Sequence, residues 1–511
     1  MSAIQETMDP TLQPQQTEKE VSSLPMMSVM QLFNLCLGII GIQFAWSMQI
    51  ALSSRVLEPL GANPFLFGLI WCAGPITGLL VQPIVGAISD RTWTKIGRRR
   101  PFILVGAFLG ALALLFFPFS PTLLIAALTI WVIDACVNVS QGPYRALVPD
   151  NVNPKQHAVA NGYLNFAFGA GSVIALGVAP ALKLFNVPMN IEQQYIMSAV
   201  ALVLFIIYTS LTIKEYKKPV KQGVQEEKPT LFDAFKVFAK SDREIHKLCG
   251  VQFLLWVGIM CMFIYLTPYI VHNIYLLPDM STKQYKEMEQ SYQKSEVNYE
   301  TQNVQNTFNE YKKLLSTGKK DQIQTLIVDN NMGNYQKIAL MKKLDQEATN
   351  TAQLALVAFN FVALMLSIPL GYLCAKFGKK PIFTVSLLFL ALAFLFAPSL
   401  STPMQAIIMM ACAGVAWATI LSIPFSILCD YMPRGSEGSI MGIFNMFIAG
   451  PQLISATFIA WVISQNPVTT TLGSSHNWSI AFLVASGCVF AGIIALQFIK
   501  EKKVSFCDCK I

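Results

Sequence analysis

Apolar stretches of roughly twenty residues recur along the chain, nearly free of charge, with short polar segments between them. A helix needs about 20 such residues to cross a bilayer core of about 30 Å. The pattern predicts twelve spanning helices, at 28–52, 65–88, 101–117, 122–143, 160–184, 194–213, 248–271, 351–374, 381–398, 404–428, 439–463 and 479–499. The chain is thus expected to be an all-α membrane protein. Six spans fall in 28–213 and six in 248–499, with 214–247 as the link between halves. Residues 1–27 are polar and carry Pro10, Pro14 and Pro25. They lack the basic start and apolar core of a signal peptide, and with 500–511 they are expected to be cytoplasmic tails, the first of them disordered.

The short connections divide by charge. One set holds Arg91, Lys95, Arg98, Arg99, Arg100, Arg145 and Lys155, nine basic residues between 214 and 247, then Lys376, Lys379, Lys380 and Arg434. The opposite short loops hold only Arg55 and Lys183. Basic loops stay on the cytoplasmic side, so both termini are expected inside. The connection 272–350 is different: polar, with ten basic and ten acidic residues, and placed outside between spans seven and eight. It reads as a spacer or small cap, or as a lid or partner-docking domain whose partner the sequence does not name. It interrupts the second half without cysteine or apolar span, so it is expected to be dispensable for the core.

Composition narrows the class. Hydrophobic residues make 54% of the chain and charged residues 13%, against about 25% charged in soluble domains. The net charge of +8 is spread between apolar segments, which argues against nucleic acid. Most of the eleven cysteines lie inside apolar segments and none lies in 272–350, so no disulfide framework is expected. Cys507 and Cys509 do not make a prenylation box, which needs its cysteine where Asp508 stands.

The halves repeat. Gly97-Arg-Arg-Arg-Pro101 answers to Gly378-Lys-Lys-Pro381, Pro143 to Pro424, Asp150 to Asp430, Gly162 to Gly442 and Asn165 to Asn445. Two parallel repeats about an axis along the membrane normal are the plan of the major facilitator fold, with the substrate site near the midplane between the halves. Asp134 of span four has no acidic partner in this repeat, because its equivalent lies near Gly414.

Asp134 is the main chemical candidate. A carboxylate in mid-bilayer costs roughly 3 kcal/mol or more, and such residues face cavities or partners. Desolvation favours a protonated carboxyl group, the property that proton coupling needs. Asp134, Asn138, Gln141 and Arg145 follow one helix face. Arg145 is roughly 16 Å further along a straight helix, so it is assigned to the inner end. Gln43, Trp46, Gln49, Asn165, Gln252, Trp256, Asn360, Asn445 and Gln452 are further polar or aromatic positions inside spans. Each serves either as helix–helix glue or as lining for a neutral polyol, with amides for hydroxyls and an aromatic face for a sugar ring.

The loop Ser89-Asp-Arg-Thr-Trp-Thr-Lys-Ile-Gly-Arg-Arg-Arg-Pro101 suggests an inner gate in which Asp90, Arg91, Arg98, Arg99 and Arg100 latch. The second half has Ala375-Lys376 where an acid would stand, so its latch is expected to be degraded. The four histidines are dispersed without metal spacing. No Gly-x-x-x-x-Gly-Lys-Ser/Thr loop is present. The expectation is therefore no enzyme, no metal, no cofactor and no ATP drive.

Gly41-Ile-Gln-Phe-Ala-Trp46, Ile70-Trp-Cys-Ala-Gly-Pro75, Gln82-Pro-Ile-Val-Gly86, Gly97-Arg-Arg-Arg-Pro-Phe-Ile103 and Gln141-Gly-Pro-Tyr-Arg-Ala-Leu147 resemble the sucrose–proton symporter family. This belongs to the glycoside–pentoside–hexuronide group of major facilitators. Ser422-Ile-Pro-Phe425 and Gly442-Ile-Phe-Asn445 extend the resemblance into the second half, in a bacterial-type version. The resemblance implies a proton-coupled sugar importer in a bacterial plasma membrane, with Asp134 as proton acceptor and Arg145 as the essential arginine of that helix. The loop Gly61-Ala-Asn-Pro-Phe65 lacks the histidine of plant sucrose carriers, and span eight lacks their embedded arginine. The sugar is left open among sucrose, maltose, another glucoside and a hexose. The rival readings are a facilitator or exporter of another small neutral solute, and a transport-inactive receptor.

Overall fold

A computed structural model describes residues 25–153, 156–215, 236, 238–280, 289, 292, 302–329, 333–432, 437–470 and 473–501. The expected tails and much of the 214–247 link lie outside these residues, as do the side chains of Asp90 and Arg91. The first half contains α1 (Val29–Leu57), α2 (Pro64–Trp71), α3 (Ala73–Arg91), α4 (Arg100–Phe116), α5 (Leu123–Asn151), α6 (His157–Leu184) and α7 (Ile191–Thr212). In the second, α8 (Arg243–Tyr269) is followed by α9 (Gln302–Ser316), α10 (Lys320–Asp329), α11 (Asn334–Phe377), α12 (Lys379–Leu395), α13 (Pro403–Ile420), α14 (Ile423–Tyr431), α15 (Glu437–Ile454), α16 (Ala460–Ser464) and α17 (Ser479–Gln497).

Eleven of these helices or helix pairs are long and apolar enough to cross a membrane. The twelfth crossing is α12, whose 17 residues make a rod of about 25 Å. Crossing two is the pair α2–α3, ten is α13–α14 and eleven is α15–α16. The chain is an integral multi-pass membrane protein. Local signals set the helix ends. Ser28 Oγ accepts from the Gln31 N–H at 3.2 Å, and Gln31 Oε1 accepts from the Ser28 N–H at 2.8 Å. That reciprocal pair starts α1 and satisfies two backbone donors that have no partner inside the helix.

Two elements depart from the sequence reading. Residues 334–350, counted there with the insertion, are the first turns of α11, a single helix of 44 residues. They carry polar residues because they stand outside the apolar layer, so hydropathy marks only the later part of the helix. A two-stranded antiparallel hairpin, β1 (Pro467–Thr470) with β2 (Gly473–His476), precedes the last crossing. It lies outside the spans, where an all-α reading has no periodicity to use.

The halves meet on the side of the insertion. Thr267 Oγ1 of α8 donates to the Ala51 carbonyl of α1 at 3.0 Å. Gly68 of α2 lies so close to crossing eleven that a Cβ there would sit 1.9 Å from the Ala456 carbonyl oxygen. Small residues permit this approach, and packing rather than the hydrophobic effect holds helices together in lipid. Gly169 and Gly177 of α6 approach Leu364 and Val357 of α11. At the opposite, basic ends of the same crossings, Gly86, Gly162, Gly371 and Gly442 face open space. The contacts named between the halves thus lie on the insertion side and toward mid-membrane.

The insertion packs into the second half and reaches the first where the Met280 N–H donates to Glu58 at 3.0 Å. Tyr311 of α9 is fully buried and donates to the Tyr275 carbonyl at 2.5 Å. Val304 and Leu315 of α9, and Ile338, Leu340 and Leu344 of α11, join the same apolar core. The expectation that 272–350 is a removable spacer does not fit this packing.

Candidate functional site

Asp134 sits on α5 at 1% exposure, and its Oδ1 has no hydrogen-bond partner. The Gln49 amide of α1 lies beside the carboxyl group. One turn along, Asn138 donates to Thr77 Oγ1 at 3.0 Å and to the Asp134 carbonyl at 2.9 Å, and accepts from Gln82 at 2.5 Å. Gln141 accepts from the Trp46 indole at 3.1 Å. Three crossings thus converge on one acid: α1 with Trp46 and Gln49, α3 with Thr77 and Gln82, and α5 with Asp134, Asn138 and Gln141. A buried acceptor left open is costly, so the free Oδ1 marks a place for a proton or a ligand hydroxyl.

The other predicted positions divide. Gln43 donates to Ser172 of α6 at 2.8 Å, a tie within the first half. Asn360 and Gln452 bond to carbonyls of their own helices, at 2.9 and 3.1 Å. Asn165 and Asn445, related by the repeat, are both exposed. Arg145 is exposed as well, with its guanidinium 5.5 Å from the Phe168 ring centroid, away from Asp134. Gln252 is fully buried on α8 with neither amide atom partnered, and the Trp256 indole N–H one turn on is also unpartnered.

Trp256 opens an aromatic cluster that sequence reading missed. Trp417 of α13 lies 6.1 Å from Trp256, 5.4 Å from Phe263 and 5.6 Å from Phe359, centroid to centroid. Only contact across three crossings reveals it, since a lone Trp in an apolar helix looks like core. The first half therefore offers a carboxyl group and amides, and the second an aromatic wall edged by one amide.

The basic face holds a paired arrangement. Asp150 accepts from Arg98 at 2.5 Å and from Arg99 at 3.0 Å, and Arg99 also reaches Ser89 Oγ at 2.5 Å. Glu215 accepts the backbone N–H groups of Arg98, Arg99 and Arg100, at 2.8, 3.0 and 3.0 Å. These are unpaired donors at the start of α4, where a carboxylate also meets the positive end of the helix dipole. Gly97 has φ +126°, and a Cβ there would stand 2.6 Å from Glu215.

The second half repeats the design. Glu501 accepts from the Lys379 N–H at 2.5 Å, Lys379 Nζ pairs with Asp430 at 2.6 Å, and Gly378 has φ +96°. The basic loop of the second half therefore has acidic partners, although position 375 holds none. Its acids come from Asp430 and Glu501, far from position 375 in sequence. Arg98–Asp150, Arg99–Asp150, Arg100–Glu215, Lys247–Glu244 and Lys379–Asp430 each join groups of the same half.

The closed side carries charge that crosses the halves. Arg55 of α1 pairs with Glu58 at 2.7 Å and with Asp345 of α11. His272 Nε2 lies 3.1 Å from Glu58, and its ring stacks on Trp478 at 5.9 Å. Burial alone would raise the Glu58 pKa. The charges of His272 and Arg55, with the hydrogen bonds from His272 and the Met280 N–H, outweigh it and hold the group at about 2. Lys183 and Lys312 both pair with Glu347.

Residues 37–275 match the model of the MFS/sugar transport protein family, and residues 336–505 match that of the Major Facilitator Superfamily. The chain belongs to the major facilitator superfamily. Two repeated six-helix halves agree with that family of transporters, and the stretch between the two matches falls in the insertion. A general alpha-glucoside permease of Schizosaccharomyces pombe is 26% identical over 93% of this chain and 94% of its own length. The sucrose transport protein SUC3 of Arabidopsis thaliana is 32% identical over 29% of each chain. Among solved structures, the nucleoside transporter NupG aligns with TM-score 0.61 at 13% identity, covering 93% of this chain and 100% of its own. The xylose transporter XylE from E. coli aligns with TM-score 0.52 at 12% identity, covering 92% and 96%. At such identities these structures establish the fold alone.

Proposed function

We propose that this protein is a symporter that imports a sugar together with a proton by alternating access. Sucrose, maltose, a related glucoside and a hexose fit the class. The observation that carries the reading is Asp134: buried, with one oxygen unpartnered, among the neutral amides of Gln49, Asn138 and Gln141. Amides donate to and accept from hydroxyls, and the carboxyl group adds one group that titrates. Trp256 and Trp417 give the second half an aromatic face for the apolar side of a sugar ring. The names of the relatives, an alpha-glucoside permease and sucrose transport proteins, favour the same substrate class.

In this reading the basic face and both termini are cytoplasmic, and the present form is open inward. Protonated Asp134 lets the loaded carrier turn over without moving a bare charge through a low-dielectric gate. Loss of the proton to the cytoplasm loosens the sugar. The named relatives come from fission yeast and plants, so the bacterial plasma membrane rests only on the motif resemblance. Uptake of radiolabelled sucrose and maltose, with and without an uncoupler, tests the proposal. Accumulation that collapses with the uncoupler is expected. Absence of uptake for every sugar of the class would overturn it.

A further inference from the structure

The closed outer side contains polar atoms that nothing in the fold satisfies. Gln49 Oε1, Ser53 Oγ and Ser54 Oγ on α1, Ser198 Oγ on α7, and Thr349 Oγ1 and Gln353 Oε1 on α11 are all buried without a hydrogen-bond partner. Their positions are ordered. Asp345, Thr349 and Gln353 repeat at four-residue intervals, so they share one face of α11. That face looks at the first half. Asp345 pairs with Arg55 of α1, and the Gln353 amide donates to Gln194 of α7. Further in, Val357 and Leu364 on the same stripe meet Gly177 and Gly169 of α6. Ser198 is one turn inward of Gln194, and Ser53 is one turn outward of Gln49, which adjoins Asp134. The trail runs from the Arg55–Asp345 pair to the buried acid.

A seam meant only to stay shut gains from apolar or fully matched contacts, because unpaired buried polar groups oppose closure. These groups make sense when the halves part on this side and the seam becomes the wall of a water-filled vestibule. Thr349 and Gln353 of α11, with Gln194 of α7 facing them, then present a hydroxyl and two amides to the hydroxyls of a sugar.

We propose that Thr349, Gln353 and Gln194 form an outer sugar subsite, occupied in the outward-open state before the sugar reaches Asp134. Closing the seam strips these groups of their partners and drives the sugar inward. The inference rests on the symporter reading above.

The test uses full-length protein carrying Thr349→Cys, with Gly68→Leu added. A leucine cannot fit against Ala456, so the outer side is held open and the sugar cannot protect by closing it. Asp345→Asn is the second opening variant should Gly68→Leu fail to fold. A membrane-impermeant maleimide is added from outside, with sucrose, maltose or betaine as osmotic control, and labelling of the parent without the new cysteine is subtracted. Labelling is expected, and a transported sugar should slow it at least threefold while betaine does not. Labelling that no transported sugar slows would mean a wall for water only, and a cysteine that never labels would mean a seam that never opens; either overturns the subsite. If the unmodified protein carries no sugar of the class, the transport reading fails. If it does carry one and the cysteine stays unprotected, only this inference fails.

Discussion

Arg55, at the outer end of α1, is buried against Asp345 of α11, so one ion pair ties the two halves of the transporter together on the closed side. The pair lasts only as long as that side is shut. Removing one partner of a buried pair costs about 3–5 kcal/mol, because the other charge is left in a poor solvent. Asp345→Asn should therefore shift the population toward the outward-open form by tenfold or more, at about 1.4 kcal/mol per tenfold. External labelling of a cysteine at Ser53 reads the shift. Unchanged labelling would remove the pair from the closing mechanism.

Glu58 links that pair to His272, and its titration lies far below the working range. Its carboxyl group falls from the ordinary 4.5 to about 2 in the folded protein. A lowered acid contributes stability above its unfolded pKa and loses it as the pH falls toward the folded value. The gap in melting temperature between the parent and Glu58→Gln is thus expected to shrink as the pH falls below about 4.5. A gap that stays unchanged down to about pH 3 would assign the low-pH dependence to another group.

Asp134 offers the sharpest test of coupling. Asp134→Asn keeps size and hydrogen bonding but removes the titration. Sugar accumulation against a gradient should fall to background, while exchange of labelled for unlabelled sugar persists. If the variant still concentrates sugar, and an uncoupler still collapses that gradient, coupling resides elsewhere.

Glu215 and Glu501 play equivalent parts in the two halves. Each accepts backbone donors at the start of a crossing, and a cap is typically worth about 1 kcal/mol. Glu215→Ala and Glu501→Ala should each lower the melting temperature in detergent by a few degrees. Gly97→Ala should cost more than either, because it adds a strained φ and a Cβ 2.6 Å from Glu215. A Gly97→Ala protein as stable as its parent would contradict that geometry.

Deleting 281–332 behind a short linker removes α9 and α10, including Tyr311 and its bond to Tyr275. The transport core should still insert, but closure on the outer side should weaken. Increased external labelling at Ser53, with slower uptake, is the expected result. Transport equal to the parent would restore the reading of the insertion as a spacer.

The spans, the repeat and Asp134 were legible in the sequence because each is a local departure from a simple background: apolar runs, a matched spacing, a charge where lipid should be. The outer network was not. Arg55 and Asp345 lie far apart in sequence, and each alone looks like an ordinary charge near a span end. Asp150 was visible as half of a repeated pair, yet nothing local showed that Arg98 and Arg99 pair with it. Glu215 and Glu501 follow the last crossing of each half, where nothing local marks them as caps. Trp417 carries no polar neighbour in sequence to distinguish it from core. The first turns of α11 were hidden for a physical reason: a helix that leaves the bilayer loses the hydropathy by which a span is recognised, although its backbone continues unchanged.

That continuity gives span eight a mechanical character. From Asn334 to Ile368 the helix contains neither proline nor glycine, so about 50 Å of stiff rod runs from the outer cap down past the site. A small tilt of the rod within the membrane becomes a larger sweep of the cap, and a load on the cap bears on the sugar site with leverage. An antibody fragment that pins α9 to the rim would then act as a brake on transport, although it touches nothing the sugar touches.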